Sequence, residues 1–246
     1  MTRFIHTPRW SSRARRRSVL AICLGTLGPL AATPAGAQAP ASPLLDALSI
    51  SVQFDSVTVA RGTMRFRQVR SGTDLALVTT GIVVRRGLRV TAELLTDSTL
   101  GLRRYVAESR DSAGRLIDRI QVTSAGGRVT LERVTPTRRS VREYAAQRDL
   151  VLLDTAAMVP FVTLASHAAR STPLFFLDVR RGTLSSGTLD YAPTAEISMA
   201  EVAVTGVPVT VTGLSTPLRW WRDARGRLLR VAWGGRSRLL RDDPPT

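Results

Sequence analysis

The chain has 246 residues, 35 basic against 19 acidic, and a net charge of +16. A single cysteine, Cys23, and two histidines, His6 and His167, exclude an internal disulfide and any site built from several histidines. The basic residues are all arginine, scattered as pairs such as Arg85-Arg86, Arg103-Arg104, Arg138-Arg139 and Arg180-Arg181. A phosphate-tracking surface needs many of them on one face, so nucleic acid is not an expected partner. The charge reads first as a solvated basic surface; the alternative is attraction to an anionic envelope surface, lipid or lipopolysaccharide.

Residues 1–37 read as a signal peptide. Six arginines and no acids precede or fall within a short apolar stretch, Ser18 to Leu30, which is too short to cross about 30 Å of hydrocarbon. Ala35-Gly36-Ala37 then offers the small side chains that a signal peptidase accepts, so the mature chain is expected to begin near Gln38, in the periplasm or outside the cell. Arg16-Arg17-Ser18-Val19-Leu20 fits a twin-arginine signal as well as it fits general secretion. Leu20-Ala21-Ile22-Cys23 sits loosely on a lipobox, but Ile22 is too bulky before a modified cysteine. Removal of the leader takes away Cys23 and six arginines, leaving 29 bases against 19 acids.

Residues 38–48, with Pro40 and Pro43, read as a flexible mature terminus. A single β-rich domain is expected over 49–241 and a disordered tail over 242–246. Within the domain the dominant period is two: Met64 and Phe66 alternate with Arg65 and Arg67, and Leu88, Val90, Ala92 and Leu94 with Arg89, Thr91 and Glu93. Val207, Val209 and Val211, then Leu229, Val231 and Trp233, repeat the pattern. One apolar and one polar face is the signature of antiparallel strands with one side on a core. Turn pairs such as Arg86-Gly87, Gly126-Gly127 and Gly234-Gly235 recur, which predicts a meandering sheet, barrel or sandwich of about twelve strands.

Arg110-Asp111-Ser112-Ala113-Gly114-Arg115 is echoed by Arg222-Asp223-Ala224-Arg225-Gly226-Arg227. Both predict hairpin turns, Asp capping backbone N–H groups and Gly accepting positive φ. The period breaks over Thr155–Arg170, where Phe161, Leu164, Ala165 and Ala168 follow a spacing of three and four. One short amphipathic helix is expected there, with Pro160 in its first turn, packed on the sheet or covering its open side.

Catalytic patterns are weak. Leu152-Leu153-Asp154-Thr155-Ala156 resembles the active-site loop of a retroviral-type aspartic protease, but Ala156 replaces the required glycine, and a second aspartate would have to come from a partner. The alternative is that Asp154 caps the following turn, in which case Asn replaces it at little cost and Ala at more. Ser166 and His167 are adjacent, so on a helix they point about 100° apart and cannot form a triad pair. No catalytic residue, metal ligand or cofactor motif is assigned.

Trp220-Trp221 falls on a strand, so one ring faces the core and the other lies outside. An apolar ligand cavity would take one of them as a wall, together with Phe161 and Leu164 of the helix and Phe175-Phe176 of the next strand.

The run Leu152-Leu153-Asp154 … Phe161-Val162-Thr163-Leu164-Ala165, followed by Trp220-Trp221-Arg222-Asp223 … Gly226-Arg227-Leu228-Leu229-Arg230-Val231, resembles a group of uncharacterised exported bacterial β-rich proteins. These are similar in outline to the half-barrel that carries lipoproteins across the periplasm. The resemblance covers residues 60–241 and implies a curved antiparallel sheet or half-barrel with a helix on its concave side; it brings no catalytic residues.

The function expected on these grounds is non-enzymatic: a monomer that binds an apolar small molecule, lipid or lipoprotein in a groove of the sheet. Each buried CH₂ of such a ligand contributes roughly 0.8 kcal/mol. The alternative is an assembly factor that meets an envelope protein through its sheet surface or edge, and the third reading is a carboxylate-based hydrolase.

Overall fold

The computed structural model describes residues 44–71, 74–167, 173–199 and 201–244. The signal peptide read over 1–37 lies outside the described residues, as does Ala168 of the helix stripe. Eight antiparallel strands follow one another: β1 (Leu44–Phe54), β2 (Val57–Ser71), β3 (Asp74–Arg85), β4 (Leu88–Asp97), β5 (Leu102–Arg110), β6 (Leu116–Ala125), β7 (Arg128–Thr135) and β8 (Arg138–Ala145). After β9 (Leu150–Leu153) comes the helix α1 (Pro160–Ala165), and β10 (Leu174–Asp178) returns parallel to β9. The chain then runs through β11 (Thr183–Tyr191), β12 (Ala195–Met199), β13 (Val202–Thr212), β14 (Leu218–Arg222), β15 (Leu228–Trp233) and β16 (Ser237–Arg241).

All sixteen strands belong to one curved, open sheet, in the order β8-β7-β6-β5-β4-β3-β2-β1-β16-β15-β14-β13-β11-β10-β9, with β12 attached to β13. The last strand, β16, pairs with the first, β1, so the two halves of the chain meet at the middle of the sheet. The order ends at β8 and β9, which are consecutive in the chain and each leave one edge free.

Alternation decides which side of each strand faces inward. Met64 and Phe66 are buried while Arg65 and Arg67 are exposed, and Ala92 and Leu94 are buried beside the exposed Glu93. Two-residue turns at Asp55-Ser56, Arg86-Gly87 and Gly126-Gly127 have positive φ at both positions, the geometry that matches the twist of a hairpin.

The sheet bends around the segment 154–166, which fills its concave side. Every residue of α1 is buried, so the helix is enclosed all round and has no polar face to water. Pro160 occupies its first turn. The helix is shorter than the span expected over Thr155–Arg170, because Asp154 holds the preceding residues in a turn and Met158 adopts a φ of 63° before the helix begins. Opposite it, Gly81 of β3 lets the backbone approach: a Cβ there would lie 2.5 Å from Val159 Cγ2.

The structure also moves two boundaries. Leu44–Leu48, expected within a flexible terminus, form the start of β1, where buried Asp46 receives two bonds from Arg241. The tail expected from 242 stays attached through its first residue: the Asp242 N–H bonds Ser49 O, and its carboxylate accepts from Ser51 Oγ. The strand count exceeds the expected twelve because short strands such as β9, β10 and β12 lack a full alternating period.

Candidate functional site

Open space remains on the concave side at one end of the sheet. There the C-terminal ends of β1, β3, β9, β10 and β15 meet the N-terminal ends of β2, β4, β11, β14 and β16. A cleft of about 210 Å³ opens among Leu153, Thr155, Phe161, Phe176, Leu214, Leu218 and Trp233, with Asp178, Arg180 and Arg181 on one wall. A second of about 160 Å³ lies among Val52, Phe54, Val59, Val83, Leu88, Met158 and Trp233. Thr155 and Trp233 border both, so they stand between two arms of one mouth.

Packing of the buried segment shapes this mouth. Phe161 is buried and stacks on Trp233, ring centroids 5.8 Å apart and planes 26° from parallel. Trp233, the last residue of β15, keeps part of its surface exposed.

The six residues expected to line a cavity are distributed unevenly. Phe161 and Phe176 line the cleft together. Leu164 and Trp220 have no exposed surface and belong to the core. Phe175, one residue before the inward Phe176, is out of phase with it and packs half-buried against the core. Trp221 lies on the outer face, its ring between the guanidinium carbons of Arg219 at 4.8 Å and Arg230 at 4.9 Å. The division of the tryptophans into one inward and one outward ring follows from strand alternation.

Trp233, Leu218 and Leu214 were not singled out from the sequence, although Trp233 had a usable signal. It ends an inward-facing alternation just before Gly234-Gly235, which places it at a strand end.

One wall of the mouth is held by a buried polar cluster. Asp154 has no exposed surface; its carboxylate accepts from the Ala156 and Ala157 N–H groups at 2.9 and 3.1 Å, and from Tyr105 Oη at 2.7 Å. It also accepts from Arg180 Nε at 3.0 Å and Nη2 at 3.2 Å. The same guanidinium donates through Nη1 to both oxygens of Asp118, at 3.1 and 2.8 Å. Burial pushes the Tyr105 hydroxyl well above its usual range, and the neighbouring Asp154 carboxylate adds to the rise.

Asp154 therefore caps the turn and also joins the wings of the sheet. Asp118 and Asp154 meet through a guanidinium, whereas a protease dyad shares one proton directly between two carboxylates. Among the described residues no three metal-ligating side chains come together, and no helix is long and apolar enough to cross a membrane.

His167 is buried just past α1, and its carbonyl accepts from Tyr191 Oη and Arg222 Nη1. Comparison of the chain with protein-family models, curated proteins and solved structures finds no match.

Proposed function

We propose that the protein is a non-enzymatic binder of an apolar chain, a lipid or lipidated envelope component, whose end enters the mouth at Thr155 and Trp233. The observation that carries this reading is the aromatic floor of Phe161, Phe176 and Trp233, left partly open at the end of the sheet. The arms are smaller than the roughly 300–1,000 Å³ of a drug-sized site, which suits the end of one chain and not an entire lipid. The outline of the sheet is similar to a lipoprotein-carrying half-barrel, and the leader read over 1–37 puts the reading outside the cytoplasm.

A second reading, an assembly factor that adds a strand to a free edge, draws on the two unpaired edges β8 and β9. It is the weaker reading because Arg142 and Tyr144 of β8 reach across to the carbonyls of Arg181 and Gly182, which covers part of that edge.

Titration with the neutral probe N-phenyl-1-naphthylamine, read by quenching of tryptophan, tests the proposal. Saturable binding is expected, weakened about tenfold or more by Thr155→Trp, whose side chain would occupy the mouth. Absence of saturable binding, or binding that Thr155→Trp leaves unchanged, overturns it. An intact mass of exported protein beginning near Gln38 is the expected outcome for the leader.

A further inference from the structure

Next to the apolar cleft, the seam between β7–β8 and the turn joining β10 to β11 encloses a hollow of about 490 Å³. Arg133, Arg138, Arg142, Arg180 and Arg181 line it, and no acidic residue does. Its inner wall includes the buried Val179. Arg180 and Arg181 border the apolar cleft as well, so one turn separates the two spaces.

Four of the five arginines are held by protein groups; Arg180 is paired with Asp154 and Asp118, and Arg181 lies 3.8 Å from Asp178. Arg133 Nη2 bonds Asp118 at 3.0 Å and its Nη1 bonds Arg180 O at 3.5 Å, while its Nε is buried with no partner among the described residues. Arg142 is fixed by bonds from Nη1 to Arg181 O at 3.1 Å and Gly182 O at 2.8 Å, contacts to carbonyls that leave its charge unpaired. Gly182 makes room for it, since a Cβ there would lie 2.5 Å from that Nη1. Arg138 is exposed, and among the described residues its guanidinium has no carboxylate partner.

Fixed guanidiniums with spare N–H donors suit tetrahedral oxyanions, which accept paired hydrogen bonds from arginine. Because the Arg133 and Arg142 donors are already ordered, little of their conformational freedom is lost on binding.

We infer that this hollow takes the phosphate ester of an amphiphile whose apolar chain end enters the neighbouring cleft. The inference rests on the proposed function for the chain and on the arginines for the headgroup. Joining the two groups in one molecule makes the second contact intramolecular, so an amphiphile should bind much more tightly than its headgroup.

Three ligands separate the parts: glycerol 3-phosphate for the hollow, N-phenyl-1-naphthylamine for the cleft, and dihexanoyl phosphatidic acid for both. Calorimetry is expected to give dihexanoyl phosphatidic acid at least about tenfold tighter than glycerol 3-phosphate. Arg138→Glu should weaken both phosphates about tenfold or more while leaving the neutral probe unaffected. Among the described residues the Arg138 side chain has no partner, and its bonds to Thr135 are made by its backbone, so this variant should keep the wild-type melting temperature. Arg142→Ala is a second variant expected to act in the same direction.

Unchanged phosphate affinity in both variants overturns the inference, as does equal affinity for glycerol 3-phosphate and dihexanoyl phosphatidic acid, which would mark a site for a free phosphate ester. Phosphate binding with no neutral-probe binding would instead overturn the apolar-cleft reading.

Discussion

Arg180 and Asp154 form an ion pair on one wing of the open sheet, and Asp118 ties that pair to the other wing. Arg180 follows β10, and Asp154 follows β9; the third partner, Asp118, belongs to β6 on the far wing. Two carboxylates and one guanidinium thus do in side chains what a closing strand pair would do in backbone. A buried charge left without its partner costs about 3–5 kcal/mol. Turn capping alone would let Asn replace Asp154 almost freely, but the pair to Arg180 changes that expectation. Asp154→Asn and Asp154→Ala are both expected to lower stability by about 3 kcal/mol or more. Urea denaturation checks this, and a loss below about 1 kcal/mol for Asp154→Asn would return Asp154 to a simple cap.

The same cluster sets a pH window. Burial by itself would raise the Asp118 carboxyl, but the Ser109 hydrogen bond and the Arg180 and Arg133 guanidiniums outweigh it and hold the group below its ordinary 3.8. Asp118 therefore contributes stability that is complete above about pH 4 and is lost as the pH falls through its lower folded value. Tyr105 acts at the other end. Its hydroxyl is raised above the ordinary 10.0, so its contribution is complete below that pH and is lost as the pH rises further. Urea midpoints from acid to alkaline pH should show both slopes. Asp118→Asn should flatten the acid limb and Tyr105→Phe the alkaline one; limbs of unaltered slope would mean that other groups carry the titration.

Local chemistry was legible in the sequence where a turn or an alternation spells itself out. Asp111 and Asp223 each accept two backbone N–H bonds and one Nε bond from the arginine four residues on, before glycines of φ 79° and 78°. A third copy at Asp97 was missed because its fourth position is Leu100, at a φ of 68°, where the other two have glycine. The inward Trp220 and outward Trp221 followed from period two. What could not be read was the distance between non-neighbouring strands. Nothing local brings Arg180 to Asp118, or Trp233 over Phe161, because both depend on how far the sheet curls. The helix stripe was read correctly as apolar, but the sequence carries no sign that its remaining face, with Thr163 bonded back to Pro160 O, would also be buried.

The three related turns offer a direct comparison. Gly114 has nothing within 4 Å of where a Cβ would stand, so Gly114→Ala is strained by conformation alone. The left-handed region costs an L-residue about 1–2 kcal/mol, and that is the expected loss. Leu100 already bears this strain and is only half-buried. Leu100→Gly should therefore leave stability unchanged or raise it. A loss as large as that of Gly114→Ala would show that leucine packing, and not the turn, dominates at this copy.

Phe161 separates a packed filler from a loosely seated one. It is enclosed by the sheet on one side and by Trp233 on the other, and its ring also borders the cleft. Truncation removes most of a buried aromatic side chain, and the surrounding strands are cross-bonded and cannot collapse into the space. Phe161→Ala is expected to cost about 3–5 kcal/mol. The void would join the cleft, so N-phenyl-1-naphthylamine should still bind, with more room and a changed emission maximum. Leu164→Ala, which opens a cavity away from the mouth, should lower stability by about 2–5 kcal/mol without altering the probe spectrum. Parallel melts and probe titrations of the two variants distinguish the sites. A loss under about 1 kcal/mol for Phe161→Ala would mean that the 154–166 segment is not packed against the sheet in solution, and the concave side would then be open to a far larger ligand.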